Sequence, residues 1–107
     1  MKKIIVNTSD ANGGIVLDTI EYRDEENGYI DTDHICEMVP VYDDHERTHE
    51  SFIDMVRQHV REYNNSMGNK IKRSETVAVD YGEHFSGAGY LYIPFSDFYK
   101  NEENDNA

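Results

Sequence analysis

Four side chains near the middle of the chain are of the types that bind zinc. His34 and Cys36 are two residues apart, and His45 and His49, which follow them, are four residues apart. Alternate residues of a β-strand point to the same side, and helical residues four apart share a face, so each pair could present two ligands together. A closed set of four thiolate and imidazole groups is what a structural Zn²⁺ ion accepts. The spacing therefore predicts a structural zinc site.

The membership of this predicted site depends on the register of the strand. Cys36, His45 and His49 are its firmer ligands, whereas a shift of one residue would replace His34 by Asp33 as an oxygen ligand. The alternative interpretation is that Cys36 is a small buried hydrophobic residue and that the histidines are surface or core residues.

The segment His45-Glu46-Arg47-Thr48-His49 also resembles the zinc metallopeptidase signature, in which two histidines bind the metal and the glutamate activates water. The extended form of that signature needs Gly and His at the positions of Phe52 and Met55, and this chain has neither. A zinc-dependent hydrolase therefore remains an alternative, and the chain is expected not to be an enzyme.

The elements that would position these residues follow from hydrophobic periodicity and turn signals. Asp43 or Asp44 is a suitable N-cap, and apolar residues recur at helical spacing through a helix of about residues 45–65. Pro40 is expected to end a strand. The predicted strands, from turn signals and alternation, are Lys3 to Asn7, Ile15 to Tyr22, Tyr29 to Val41, Lys72 to Tyr81 and Ala88 to Ile93.

This order predicts an α+β fold, with an antiparallel sheet of four to five strands and one central helix on one face. Residues 1–100 are expected to form a single domain, and the acidic segment 101–107 to be a disordered tail. With a single cysteine and no apolar run of roughly 20 residues, the protein is expected to be cytoplasmic and not to enter a membrane.

The distribution of charge is the second informative feature of the chain. The net charge is -12, and residues 18–54 contain 13 carboxylates against Arg23 and Arg47, whereas residues 55–73 carry a local charge of +4. A field this negative repels phosphate backbones, so direct binding to nucleic acid is not expected.

A concentrated set of carboxylates can instead imitate the phosphates of nucleic acid and compete for a basic protein surface. The alternative is an acidic face that serves only solubility. The residues predicted to bind such a partner are Asp24, Glu25, Glu26, Asp31, Asp43, Asp44 and Glu50.

In its size, acidity, strand-helix-strand organisation and lack of an evident active site, the chain resembles small phage and prophage proteins that counter host defence. It is most similar in kind to anti-CRISPR inhibitors of type II CRISPR effector nucleases, some of which carry zinc. This resemblance implies an inhibitor in the host cytoplasm that blocks nucleic-acid loading. The other classes left open are the zinc-dependent hydrolase and an acidic adaptor protein unrelated to defence.

Overall fold

Three long strands form an antiparallel meander in the computed structural model of the protein. They are β1 (Lys2–Ala11), β2 (Gly14–Asp24) and β3 (Tyr29–Pro40). Gly13 and Gly28 in the two connecting turns have φ angles of 79° and 66°, in the left-handed region that glycine adopts without steric cost. The structure describes residues 1–85, 87 and 89–100, so the predicted tail 101–107 lies outside the described residues.

The chain then crosses one face of the sheet as a long helix and returns to the opposite edge of the meander, next to β1. The later elements are α1 (His45–Ser66), β4 (Thr76–Asp80), β5 (Leu91–Pro94) and a 3₁₀-helix (Phe95–Tyr99). The strand order is β3-β2-β1-β4-β5, and β4 pairs with β1 in parallel. The predicted α+β fold is confirmed, with one difference, because the helical crossover makes the sheet mixed and only mostly antiparallel.

The core lies between α1 and the covered face of the sheet. The helix contributes Phe52, Ile53, Val56 and Val60, the stripe that the periodicity predicted. The buried aromatic residues of the 3₁₀-helix complete the core, among them Phe95, which is fully buried.

The start of α1 is fixed by local contacts. Asp44 is the N-cap, and its side chain accepts a hydrogen bond from the Glu46 backbone N–H at 3.0 Å. The buried Thr48 hydroxyl accepts from the Tyr42 N–H at 2.9 Å, which ties the helix start to the segment after β3. These contacts fix the direction in which the acidic residues of the first helical turns project.

None of the helices among the described residues is both long enough and apolar enough to cross a membrane.

Candidate functional site

The two predicted zinc ligands on β3 lie on the sheet face that is opposite to the helix. His34 and Cys36 are exposed, whereas Ile35 between them packs against the core. Strand alternation therefore turns both predicted ligands away from α1. Cys36 has a left-handed φ of 56°, at the point where the pairing of β3 with β2 is irregular.

The other predicted ligands lie on the helix side of the sheet. His45 is exposed, and His49 is half-buried, with its ring centroid 5.7 Å from that of Phe85. Asp33 is half-buried, and its charge contributes to raising the pKa of Tyr22. The Tyr22 ring stacks on Tyr63, which is about 20 Å further along the helix than His49.

The predicted zinc ligands are therefore not brought together. Among the described residues, no group of three or more His, Cys, Asp or Glu side chains is placed to hold a metal ion. The sequence could not show this, because the sheet itself separates the strand pair from the helix pair. A zinc-dependent peptidase would need a third ligand beside His45 and His49. Zinc binding by this protein stays a prediction.

Asp31, one of the predicted partner-binding residues, is engaged in a contact between β3 and the helix. The Tyr63 hydroxyl donates a hydrogen bond to Asp31 and lies 2.9 Å from the Tyr29 hydroxyl. The Tyr63 ring stacks on that of Tyr22 with the centroids 3.7 Å apart. Burial and the nearby Asp31 both raise the pKa of Tyr63, and burial raises that of Tyr22. Asp31 thus links β3 to the C-terminal end of α1.

Three carboxylates at the end of β2 and in the turn to β3 have partners from within the chain. We call them the turn carboxylates: Asp24, Glu25 and Glu26. Glu25 accepts from the Lys3 ammonium at 2.8 Å, and this hydrogen bond lowers the pKa of Glu25. Asp24 accepts from the Asn27 side chain at 2.7 Å, which lowers the pKa of Asp24. Glu26 lies 3.4 Å from the amino group at residue 1. The charges of the turn carboxylates are therefore partly compensated.

A second acidic group surrounds the start of α1. We call it the acidic pole, and all its members are exposed: Asp10, Asp43, Asp44, Glu46, Glu50 and Glu83. In the parts of the chain that the structure describes, no Lys or Arg forms an ion pair with any of them. Asp10 has His84 as a neighbour at 3.4 Å, and Asp44 also caps the helix. The predicted array is thus divided between two ends, since β3 alone extends over roughly 35 Å.

The cation nearest in sequence to the acidic pole is held against an aromatic ring. The Arg47 guanidinium lies 3.9 Å from the centroid of Tyr42. Beside it is a cavity of about 240 Å³, lined by apolar and aromatic groups that include Val41, Tyr42 and Phe85, with Asp43 at its wall. A cavity of this kind suits the alkyl stem of a lysine or arginine side chain, with the charged group close to a carboxylate.

Three members of the acidic pole, Asp10, Glu46 and Glu83, were not among the predicted partner-binding residues. Asp10 and Glu83 lie far from the helix start in sequence, and the strand order brings them to the same end. His84 beside Glu83 joins Asp43 and His45 at the small cavity. No local pattern signals this grouping, because it depends on the crossover that places β4 next to β1.

Comparison of the chain with protein-family models, with curated proteins and with solved structures finds no match.

Proposed function

We propose that the protein is an acidic inhibitor that docks through its acidic pole on a basic, nucleic-acid-binding surface of a host defence nuclease. The observation that supports this most is the set of exposed carboxylates at the helix start that have no Lys or Arg partner among the described residues. Unpaired surface charges of one sign attract a complementary surface and speed association, whereas paired charges contribute little.

The small cavity at the acidic pole supplies an anchor for this complex. A lysine or arginine from the partner would bury its stem against Val41, Tyr42 and Phe85 and place its charge beside Asp43. Desolvated anchors of this type contribute most of the energy of an interface, while the surrounding carboxylates set orientation and association rate. The partner class that fits is a protein whose channel is rich in Lys and Arg, and a type II CRISPR effector nuclease is the first to assay.

A matched pair of variants tests the proposal. The pole variant combines Asp43→Asn, Glu46→Gln and Glu50→Gln, and the turn variant combines Asp24→Asn, Glu25→Gln and Glu26→Gln. Both change the net charge by the same amount, and neither alters the capping carboxylate of Asp44. We expect the pole variant to bind the nuclease at least about tenfold more weakly, mostly through slower association, and the turn variant to stay within about threefold of the parent.

Competition with nucleic acid completes the test. The parent protein should exclude guide or target nucleic acid from the nuclease, and its binding should weaken as salt rises because exposed charges are screened. Equal losses for the two variants would show that only net charge matters. Simultaneous binding of the protein and the nucleic acid would instead favour an adaptor and contradict inhibition by occupancy.

A further inference from the structure

The two edges of the sheet differ in length and in protection. One edge is β5, which has four residues and ends at Pro94. The other edge is β3, which has 12 residues and, within the part of the chain that the structure describes, pairs with β2 alone. A long edge strand presents a row of backbone N–H and C=O groups that can pair with another strand. The β3 side is therefore the open edge of this sheet.

The first half of β3 is the regular part of this edge. Its pairing with β2 is unbroken from Tyr29 to His34, and the irregularity follows where Cys36 has its left-handed φ of 56°. Bulges and prolines are the usual devices that stop a further strand from pairing, and Pro40 lies at the far end of β3. Neither device occurs in residues 29–34, which we call the edge segment. Its six residues in extended conformation span roughly 20 Å.

The side chains of the edge segment differ between the two faces of the sheet. Ile30, Thr32 and His34 are exposed on the face opposite to the helix, where Ile30 is 65% exposed. Asp31 and Asp33 are half-buried on the helix side. A strand added to this edge would place alternate side chains beside an apolar residue on one face and beside two carboxylates on the other.

The two carboxylates of the edge segment have no cationic partner within residues 1–85, 87 and 89–100. Asp31 accepts a hydrogen bond from the Tyr63 hydroxyl, which carries no charge, and Asp33 forms no hydrogen bond or ion pair within these ranges. Opposite charges that face each other across two strands stabilise the pairing, whereas like charges destabilise it. The edge segment therefore favours a strand that carries Lys or Arg at alternate positions.

A second copy of this chain is disfavoured at the same edge. Antiparallel pairing of two edge segments about Thr32 would place Asp31 of each copy opposite Asp33 of the other. Each copy also has a net charge of -12. The carboxylates that attract a basic strand thus oppose self-association, and charged side chains protect the edge strands of many monomeric proteins in this way.

We propose that the edge segment binds an extended segment of a partner protein by strand addition. Lys or Arg side chains at alternate positions of that segment face Asp31 and Asp33, and the apolar side chains between them lie beside Ile30. Main-chain hydrogen bonds supply the affinity, and the alternation of side chains selects the sequence. This site does not depend on the acidic pole, because it requires an extended backbone with alternating side chains, whereas the pole requires only a basic surface.

Titration of the isotopically labelled full-length protein with the capped peptide Lys-Val-Lys-Val-Lys-Val, followed by amide NMR, tests the site. We expect saturable shifts and slower amide exchange centred on residues 29–34. The peptide Lys-Lys-Lys-Val-Val-Val has the same charge without the alternation and should bind at least about fivefold more weakly. The alternating peptide with N-methyl groups on its central amides keeps its charge but lacks main-chain donors, so it should produce no saturable shifts in the edge segment.

Variants of the protein separate this site from the acidic pole. Asp33→Asn keeps the size of the side chain and should weaken binding of the alternating peptide at least about threefold. The pole variant defined above loses three charges and should leave this Kd within about twofold at physiological salt, where exposed charges are screened beyond about 8 Å. A larger loss in the pole variant than in Asp33→Asn overturns the proposal, as does equal binding of the blocked or N-methylated peptide.

Sedimentation of the parent protein tests the alternative occupant. We expect a monomer at micromolar concentration. A dimer whose edge segment is protected from amide exchange would show that a second copy occupies the edge, which would contradict the proposal.

Discussion

The turn carboxylates and the acidic pole look alike in the sequence and differ in the structure. Glu25 is paired with Lys3, which β1 brings alongside the end of β2, where Lys3 stands opposite Arg23. At the helix start, the neighbouring cation Arg47 lies over Tyr42 instead of pairing with a carboxylate of the pole. Carboxylates that look alike in the sequence therefore contribute to different properties: those of the turn to the fold, and those of the pole to an external field.

The two ends of α1 also differ in how far their polar groups are buried and paired. At the C-terminal end, Asn64 satisfies both backbone groups of Ile71, and Tyr63 reaches Asp31 on β3. At the N-terminal end, Thr48 holds only the backbone of the preceding segment, and the surrounding carboxylates are exposed. We therefore expect the C-terminal end to stabilise the fold and the N-terminal end to be available for binding.

The largest expected effect on stability is at Asn64. Asn64→Ala would leave a buried N–H and a buried carbonyl of Ile71 without partners, which should lower the free energy of unfolding by about 3 kcal/mol. Thr48→Ala at the other end should cost about 1 kcal/mol, since it loses one main hydrogen bond. Urea unfolding of both variants measures the difference. A cost at Thr48 equal to or above that at Asn64 would contradict the comparison.

Removing the hydroxyl groups of the two stacked tyrosines should change the free energy of unfolding by smaller amounts, with a loss at Tyr63 and no loss at Tyr22. Tyr63→Phe removes the hydrogen bond to Asp31 and should lower the free energy of unfolding by about 1 to 2 kcal/mol. The Tyr22 hydroxyl is buried with no hydrogen-bond partner in the described residues, so Tyr22→Phe should leave stability unchanged or raise it by up to about 1 kcal/mol. Thermal unfolding distinguishes them. Destabilisation by Tyr22→Phe would show that this hydroxyl has a partner in solution.

Single charge changes in the two acidic groups should shift Tm in different directions at pH 7. Glu25→Gln loses the contact with Lys3 and should lower Tm, whereas Glu50→Gln relieves repulsion and should leave Tm unchanged or raise it. The lowered pKa of Glu25 means that its contribution is present above the usual glutamate pKa and is lost as pH falls through the folded value. The difference between Glu25→Gln and the parent should therefore shrink as pH falls below the ordinary glutamate pKa of about 4.3, which calorimetry at several pH values can check.

The smallest expected effect is at Cys36. Because this side chain is exposed and faces away from the helix, Cys36→Ser should change Tm by less than about 2 °C. A zinc ion bound by Cys36 would instead couple to folding and make the loss much larger. Elemental analysis of protein purified without chelator provides the direct check. About one equivalent of zinc, lost in Cys36→Ser, would restore the predicted site.

Local patterns predicted most of the secondary structure. The apolar spacing of Phe52, Val56 and Val60 gave the helix within one residue of its observed end, and Pro40 ends β3 as expected. The predicted strand from Lys72 is shorter in the structure and begins at Thr76, and the 3₁₀-helix Phe95–Tyr99 was not predicted. These later segments lack clear alternation, so tertiary contacts decide where they begin and end.

The sequence by itself determined the α+β class, a helix capped by Asp43 or Asp44, and the excess of negative charge, because each depends on residue type and near-neighbour spacing. Only the tertiary structure decided the parallel pairing of β1 with β4, the sheet face on which Cys36 lies, and which carboxylates have partners. The reason is physical: strand register and the helical crossover bring together residues such as Lys3 and Glu25 or Asp10 and His84, and no local signal specifies those distances.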